Sequence, residues 1–489
     1  MKKLLSLLLA VLLLAVPLAS CSEQTSAPDE KAPDAAGSSS DAPEIEPEPE
    51  ETDILDHLPE GSFNGRDYTV LLRTGYEYEF VSEDLTGEII NDAVFERNTF
   101  LEDRYDISIA YVDRATTWGS GDRFNPELNS MILSGDSNFD IVAGYAAMIL
   151  GAVQKGLFLN WYDVPHIDVA ERWWSAQIAD SLTINKKLFA MTGDIALSVW
   201  EDMVCMYFNQ KLAVDYGIPD LYELVRNGEW TFEELLSVVS VVSGDLNGDG
   251  RYTQDDLFGY ISFWSTAIDS FMPAFDIQVV KRGEDGWLYY TMNTERMIGA
   301  LEKMQALFFS GNNFALMVSS GDLQKIFQED RALIFAHDLR TSAKLRDMET
   351  DYGIVPYPKF DGQQEKYFST ATDIFSLILF PSTVTDLDFV GCVTEAMCAA
   401  SSAKVIPAYY DIALKDKYNR DVQSAEMLDI IRDSLIFDVG YLNSFALSTA
   451  GHLFVQLVRE GRSDFASAYA KNEKVYLKKL EKMLEAYED

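Results

Sequence analysis

Histidine is scarce in this chain, which has four among its 489 residues: His57, His166, His337 and His452. None of them belongs to an HExxH motif or to another paired spacing, so a catalytic zinc site has little support. The sequence also lacks a GxSxG elbow, a Walker loop and a GxGxxG motif after a strand. Carboxylates are abundant, so the two catalytic acids of a glycosidase could be among them, but their abundance alone does not indicate such a site. Catalysis is therefore poorly supported.

Basic side chains are also few. The chain has 39 lysines and arginines against 79 aspartates and glutamates, and its net charge is -40. Nucleic-acid binding needs basic stripes that replace counterions, so no nucleic-acid partner is expected. Cysteine is scarce too, and Cys205, Cys392 and Cys398 lack the spacing of a disulfide framework or a zinc site. We expect buried thiols at these positions, and one disulfide between two of them is the alternative.

The N-terminal stretch MKKLLSLLLAVLLLAVPLASC has two lysines, an apolar run and small residues before Cys21. The run is shorter than the roughly 20 residues that cross a bilayer, which indicates a secretory signal. The stretch resembles a bacterial lipobox. We therefore expect a signal peptide over residues 1–20 and a lipid on Cys21 that anchors the protein on the extracellular face of the cell membrane. An ordinary signal peptide with an incidental cysteine is the alternative. Residues 21–60, rich in acids, Pro and Ser, are predicted to be a disordered tether.

The stretch DLNGDGRYTQDD, which begins at Asp245, has the pattern of a calcium-binding loop. Calcium needs several oxygen ligands, which alternate acidic and amide side chains can supply. The predicted ligands are Asp245, Asn247, Asp249, Arg251 through its carbonyl, and Asp256, which stands where Glu is usual. A surface turn without an ion is the alternative. We expect a structural calcium ion, because a single loop is not typical of a signalling EF-hand.

Aromatic side chains make up 12% of the residues, and several stand in turn-like positions. Sugar rings stack on Trp and Tyr, while nearby Asp, Glu, Asn or Arg side chains bind the hydroxyl groups. Trp200 directly precedes Glu201 and Asp202, the most suggestive of these pairings, and Trp264 and Tyr409 are further candidates. Core packing is the simpler interpretation for any single aromatic residue, but some members of the group are expected to face a sugar.

The chain is longer than one core usually supports, so two lobes are expected. Apolar runs such as FDIVAGY and DIFSLILF are typical of buried strands. WTFEELLSVVSVVSG, with a capping box at Thr231 and Glu234, predicts a helix that ends at Gly244. Strands that alternate with helices indicate an α/β architecture.

Several of these stretches together resemble one protein family. They are MYFNQKLAVDYGIPDLYELVRNGEWTFEELLSVV with the acidic loop that follows it, FDIVAGY, DYGIVPYPKFDGQQEKY and IPAYYDIALKDKYNRDVQSAEMLDII. Each is weak alone, but as a set they are similar to the lipid-anchored extracellular solute-binding proteins of bacterial ABC importers, in the carbohydrate-binding branch related to maltose-binding protein. The resemblance implies a two-lobed α/β fold of the periplasmic-binding-protein type (type II), with a multi-strand hinge and a cleft. Lobe 1 would hold residues 61–196 and 368–402, and lobe 2 residues 197–367 and 403–489.

The resemblance also implies a binding role without catalysis. A monomer would capture a sugar or oligosaccharide in the cleft and deliver it to the transmembrane subunits of a permease. The expected ligand-binding residues are Arg73, Tyr145, Trp200, Glu201, Asp202, Trp264, Asp338, Arg340 and Tyr409. The alternative is a calcium-stabilised secreted carbohydrate-active enzyme, a glycosidase or a lyase.

Overall fold

The structure is a computed structural model and describes residues 54–114, 121–135, 138–311, 313–319, 321–418 and 422–488. The predicted signal peptide, the lipidated Cys21 and most of the predicted tether lie outside the described residues. Ile54–His57 form a 3-10 helix, and Leu58 is buried against the core. The predicted tether is therefore too long at its C-terminal end. The described residues belong to one compact unit.

The strands of the described residues are β1 (Arg66–Arg73), β2 (Ile107–Arg114), β3 (Ile141–Tyr145), β4 (Val204–Asn209), β5 (Ser243–Gly244), β6 (Leu257–Phe263), β7 (Val280–Arg282), β8 (Leu288–Tyr290), β9 (Ala315–Val318), β10 (Ala332–Asp338), β11 (Tyr352–Val355) and β12 (Ser376–Leu379). They form a four-stranded sheet, a six-stranded sheet and the hairpin β7–β8. Strands β4 and β12 are fully buried, and β3 is buried except at Tyr145, which explains their continuous apolar runs.

The four-stranded sheet has the order β12–β3–β1–β2. Strand β1 is parallel to β2 and β3, and β12 is antiparallel to β3. The six-stranded sheet has the order β11–β4–β10–β6–β5, with β9 paired to β6. Strand β10 is parallel to β6 and antiparallel to β4. The carboxyl ends of β1 and β3 therefore lie at one edge of the first sheet, and the end of β10 meets the start of β4 in the second.

The helices are α1 (Ile89–Tyr105), α2 (Gly121–Ser134), α3 (Ala146–Val153), α4 (Ala176–Leu182), α5 (Ser198–Glu201), α6 (Gln210–Asp215), α7 (Leu221–Arg226), α8 (Phe232–Ser240), α9 (Thr266–Asp269), α10 (Phe271–Ala274), α11 (Glu295–Phe308), α12 (Leu323–Gln328), α13 (Ser342–Leu345), α14 (Leu387–Pro407), α15 (Val422–Asp433), α16 (Val439–Leu442), α17 (Leu453–Arg459) and α18 (Phe465–Leu484). Thr231 caps α8 as predicted, because its side chain accepts a hydrogen bond from the Glu234 amide. The helix nevertheless ends at Ser240, and Gly244 belongs to β5.

Helix α14 is apolar over most of its length because most of it is buried in the core. The stretch Leu387–Leu414 is long and apolar enough to cross a membrane, but 83% of its most apolar window is buried inside the fold, as in the core helix of a soluble protein. It carries Cys392 and Cys398, and these thiols and Cys205 are free and buried. The prediction of buried core thiols is confirmed.

The chain passes between the two sheets three times within the described residues. The first passage lies between Met191, which bridges to β12, and the start of β4, and the second between β11 and β12. The third is a π-helix, Ala408–Tyr418, which contacts α1 beside the first sheet and α13 beside the second. Helix α14 continues to Pro407, beyond the predicted limit at residues 402 and 403. The lobe limits themselves stay predictions.

Candidate functional site

Three predicted site residues lie at the carboxyl ends of strands. Arg73 ends β1, Tyr145 ends β3 and Asp338 ends β10. Tyr145 is in register with Ser376 at the start of β12, and Asp338 with Val204 at the start of β4. In α/β sheets the carboxyl edge is where ligands bind, because short connecting loops leave a crevice there.

Arg73 forms the centre of an aromatic group on the first sheet. Its guanidinium carbon lies 3.2 Å from the ring centre of Tyr76 and 3.9 Å from that of Tyr145, so the cation packs against both rings. The same guanidinium donates to the Ile374 carbonyl and, at 3.1 Å, to the Ser376 hydroxyl. Arg73 is buried, and its position is therefore held by contacts in several directions.

Arg340 connects the second sheet to the first. Its Nη2 atom lies 3.1 Å from Asp202 Oδ1 and 3.2 Å from Glu201 Oε2. Tyr78, in the short 3-10 helix Glu77–Glu79 after β1, donates a hydrogen bond to the same Glu201 carboxylate. The Arg340 guanidinium also lies 5.3 Å from the Tyr76 ring centre. Side chains from both sheets and from the first passage thus meet in one cluster.

Two carboxyls share the one Arg340 guanidinium. Burial raises the pKa of Asp202 well above its usual value, and Arg340 offsets only part of this rise, because Asp338 and Glu201 act against it. Burial likewise raises the pKa of Glu201, again against Arg340. Burial lowers the pKa of Arg340, but the two acids outweigh it and the pKa of Arg340 is raised. Arg340 therefore stays charged, whereas the acids compete for it.

Several buried polar atoms of this cluster have no hydrogen-bond partner among the described residues: Asp202 Oδ2, Arg340 Nε, Arg73 Nε and Tyr409 Oη. A buried polar atom without a partner costs about 1–3 kcal/mol. A ligand with many hydroxyl groups offers donors and acceptors to such atoms, and the rings of Tyr76 and Tyr145 supply apolar faces beside them.

Two predicted residues lie outside this cluster. Trp200 is half-buried and packs against the core, where its Nε1 atom donates to Asp194 Oδ1 at 3.1 Å and its ring lies 5.4 Å from that of Tyr410. Trp264 follows β6, and its ring packs under Arg459 at 3.8 Å. Their aromatic character indicated a site, but it does not distinguish packing from ligand contact.

The sequence analysis missed Tyr76 and Tyr78. Both belong to the stretch RTGYEYEF, which directly follows the carboxyl end of β1. That position was a usable signal, because the loop after the first strand of a parallel sheet opens on the crevice.

The calcium-type loop is a chain of tight turns. Asp245 accepts hydrogen bonds from the amides of Gly248 and Gly250 at 2.7 and 2.8 Å. Asn247 and Asp249 each accept one from the amide two residues ahead. Both oxygens of Asp256 bind backbone amides, and the Thr253 amide in particular lowers the pKa of this carboxyl. These side chains can ligate calcium through their remaining lone pairs.

The described residues contain no group of three or more His, Cys, Asp or Glu side chains that could hold a metal ion by themselves. A calcium ion at this loop would therefore depend on Asn247, the Arg251 carbonyl and water as well as on the carboxylates. The ion stays a prediction.

No family model matches the sequence, and no curated protein is significantly similar to it. Solved structures share its fold. The galacto-N-biose/lacto-N-biose I-binding protein of an ABC transporter from Bifidobacterium longum has a TM-score of 0.59 at 10% identity, over 86% of this chain and 98% of its own. The GacH receptor of Streptomyces glaucescens has a TM-score of 0.55 at 13% identity, over 85% and 99%. The maltose-maltodextrin binding protein of Alicyclobacillus acidocaldarius has a TM-score of 0.53 at 12% identity, over 85% and 100%.

These likenesses confirm the predicted fold class: a two-lobed α/β fold shared with solute-binding proteins of ABC transport systems. Two of these structures are of sugar-binding proteins by name, and the third is of a receptor.

Proposed function

We propose that this protein is the extracellular solute-binding lipoprotein of an ABC importer, which captures a sugar or oligosaccharide between its lobes and delivers it to the permease. The observation that carries the proposal is the cluster around Arg73, Asp202 and Arg340. There, buried polar atoms without partners lie beside tyrosine rings at the carboxyl ends of strands. This combination suits a ligand that has both hydroxyl groups and apolar ring faces.

The mechanism is a conformational change without chemistry on the ligand. Glu201 and Asp202 belong to the first passage between the sheets, Arg73 to the first sheet and Arg340 to the segment after β10. A sugar that contacts all of them stabilises the state in which the lobes are close, because only that state offers every contact at once. The permease would recognise the protein in this state.

A saccharide screen tests the proposal. Purified protein is mixed with maltotriose, raffinose, lacto-N-biose and other saccharides, and the unfolding midpoint and the released products are measured. We expect at least one saccharide to raise the midpoint and to be recovered intact. Hydrolysed or eliminated product would overturn the proposal in favour of the enzyme. No binding across the panel would also count against it.

We propose further that Cys21 carries the lipid anchor. A Cys21→Ser variant should leave the membrane fraction and enter the medium, whereas Cys392→Ser, which changes a buried thiol, should remain in the membrane fraction. Equal distribution of Cys21→Ser and native protein would contradict the anchor.

We propose that the loop from Asp245 to Asp256 binds one structural calcium ion. A chelator should lower the unfolding midpoint, and added calcium should restore it, because the ion offsets repulsion between the loop carboxylates. Asp249→Ala should remove the response. Asp255→Ala, at a loop position that supplies no ligand, should keep it. An unfolding midpoint that does not change when the chelator is added would contradict the bound calcium ion.

A further inference from the structure

A small cavity lined by both polar and apolar side chains, with Met272, Pro273 and Ile277 among the apolar ones, lies beside the second passage between the sheets. It has a volume of about 20 Å³ and is lined by residues of three segments: Asp269 and Ser270 after β6, Thr370–Thr372 in the passage, and Asp438 and Tyr441 around α16. A cavity of this size holds one small polar group. It is distinct from the Arg340 cluster but adjoins it, because the Thr372 amide donates to the Asp202 carbonyl at 2.7 Å.

Two buried side chains of this cavity have polar atoms without a partner among the described residues. Asp269 is 5% exposed and Thr372 is 6% exposed, yet Asp269 Oδ1 and Thr372 Oγ1 make no hydrogen bond. The other Asp269 oxygen accepts from the Tyr441 hydroxyl at 3.3 Å. Asp269 and Thr372 both line the cavity, and each has one polar atom without a partner.

Acidic side chains outnumber basic ones around the cavity. Asp373 lies close enough to repel the Asp269 charge, and Asp438 lines the wall. His452 is 3.9 Å from Asp373, but burial lowers the pKa of this histidine to about 4, so it is neutral near pH 7. Arg459 attracts Asp269 from a distance and packs on the Trp264 ring. Among the described residues, neither Asp269 nor Asp438 has an ion-pair partner.

Burial and this repulsion raise the pKa of Asp269 well above its usual value. A cation in the cavity would relieve both effects, because it compensates the buried negative charge. The spacing of the acids does not suit a metal ion, since no three such side chains of the described chain come together as a metal site. An organic ammonium group, with three donors, matches a free carboxylate oxygen and a free hydroxyl.

We infer that this cavity is a subsite for a protonated amino group of the ligand, held by Asp269 and Thr372. The inference rests on the proposed function in one respect, that the amino group belongs to a captured saccharide; a free diamine has the same chemistry. A hydrogen bond to a charged group is roughly twice as strong as one between neutral groups, so the amino group should gain about tenfold in affinity over a neutral hydroxyl.

The test compares ligands that differ only in the amino group. Binding to the purified protein is measured by calorimetry for glucosamine and glucose, galactosamine and galactose, the β-1,4-linked glucosamine disaccharide and cellobiose, and for putrescine. We expect the amino sugar of at least one pair to bind about tenfold or more tightly than its neutral partner. Asp269→Asn should abolish this preference, and Thr372→Val should weaken it. Asp347→Asn makes the same charge change at an exposed residue and should preserve it.

The outcomes separate the two proposals. Neutral sugars that bind as well as amino sugars, or a preference that survives in a folded Asp269→Asn variant, overturn the subsite and leave sugar capture intact. Putrescine binding that depends on Asp269, without any sugar binding, supports the subsite and overturns sugar capture. An absence of binding by every probe counts against both.

Discussion

At the scale of single residues, the balance of charge around Asp202 decides what the site can do. Asp202 is fully buried and shares Arg340 with Glu201, so the negative charges exceed what one guanidinium can compensate. Burying a charge is costly unless it is fully paired and hydrogen-bonded. The unpartnered Asp202 Oδ2 therefore destabilises the ligand-free protein. A ligand hydroxyl that donates a hydrogen bond to this atom would remove that cost.

Asp202→Asn tests this balance. The substitution keeps the shape but removes the negative charge, so we expect the saccharide found in the screen to bind at least about tenfold more weakly, which corresponds to about 1.4 kcal/mol. The stability of the ligand-free protein should stay the same or rise, because the raised pKa of Asp202 shows that its charged form is disfavoured. Calorimetry and urea unfolding measure the two effects. Unchanged affinity would remove Asp202 from the site.

At the scale of elements, the short 3-10 helix Glu77–Glu79 links the first sheet to two passages. Glu79 Oε1 accepts from the Ser198 amide and Oε2 from the Ser376 hydroxyl, each at 2.6 Å. Ser198 starts α5 in the first passage, and Ser376 starts β12 after the second. The buried Glu79 side chain thus holds the first passage, at Ser198, and the end of the second passage, at Ser376, against the first sheet.

Glu79→Ala should destabilise the protein by about 3 kcal/mol, because it leaves the Ser198 amide and the Ser376 hydroxyl buried with one partner fewer. Urea unfolding at constant pH gives the free energy. Glu83→Ala, four residues away on an exposed side chain, is the control and should change it by less than about 0.5 kcal/mol. Equal effects of the two substitutions would show that the Glu79 network does not stabilise the fold.

At the scale of the whole molecule, buried carboxyls couple stability to pH. Burial raises the pKa of Asp194 and of Glu395 to about 7. It raises the pKa of Asp373 and of Asp438 to about 6. The unfolded chain has pKa values of about 4 for these groups. Between about pH 4 and about pH 7 the folded protein therefore binds more protons than the unfolded chain. The free energy of unfolding falls as the pH rises through about 6–7.

We expect the urea midpoint to rise when the pH is lowered from about 7.5 to about 5.5. Neutral His452 acts in the opposite sense, since its pKa is lowered to about 4, but it is a single group against several carboxyls. Glu395→Gln should flatten the profile, because it removes a carboxyl that accepts hydrogen bonds from the indoles of Trp173 and Trp174. A midpoint that falls over the same interval would contradict the pKa shifts.

The strand ends followed from local order. Arg73, Tyr145 and Asp338, which the family resemblance implied as site residues, each stand where an apolar run ends. The apolar runs themselves predicted buried strands, and Thr231 with Glu234 predicted the start of α8. Periodicity and capping act over a few residues, so the amino-acid order by itself determined these elements and the α/β class.

Tertiary structure alone decided which distant side chains meet. Tyr78 and Glu201 are 123 residues apart in the sequence, and Glu79 and Ser376 are 297 apart. The sequence around each residue therefore does not predict either contact. The same holds for Trp200 and Trp264, which pack on other groups, and for the cavity at Asp269. Whether a side chain faces a ligand or the core depends on which residues from elsewhere in the chain pack against it. Those contacts are determined only when the whole chain has folded.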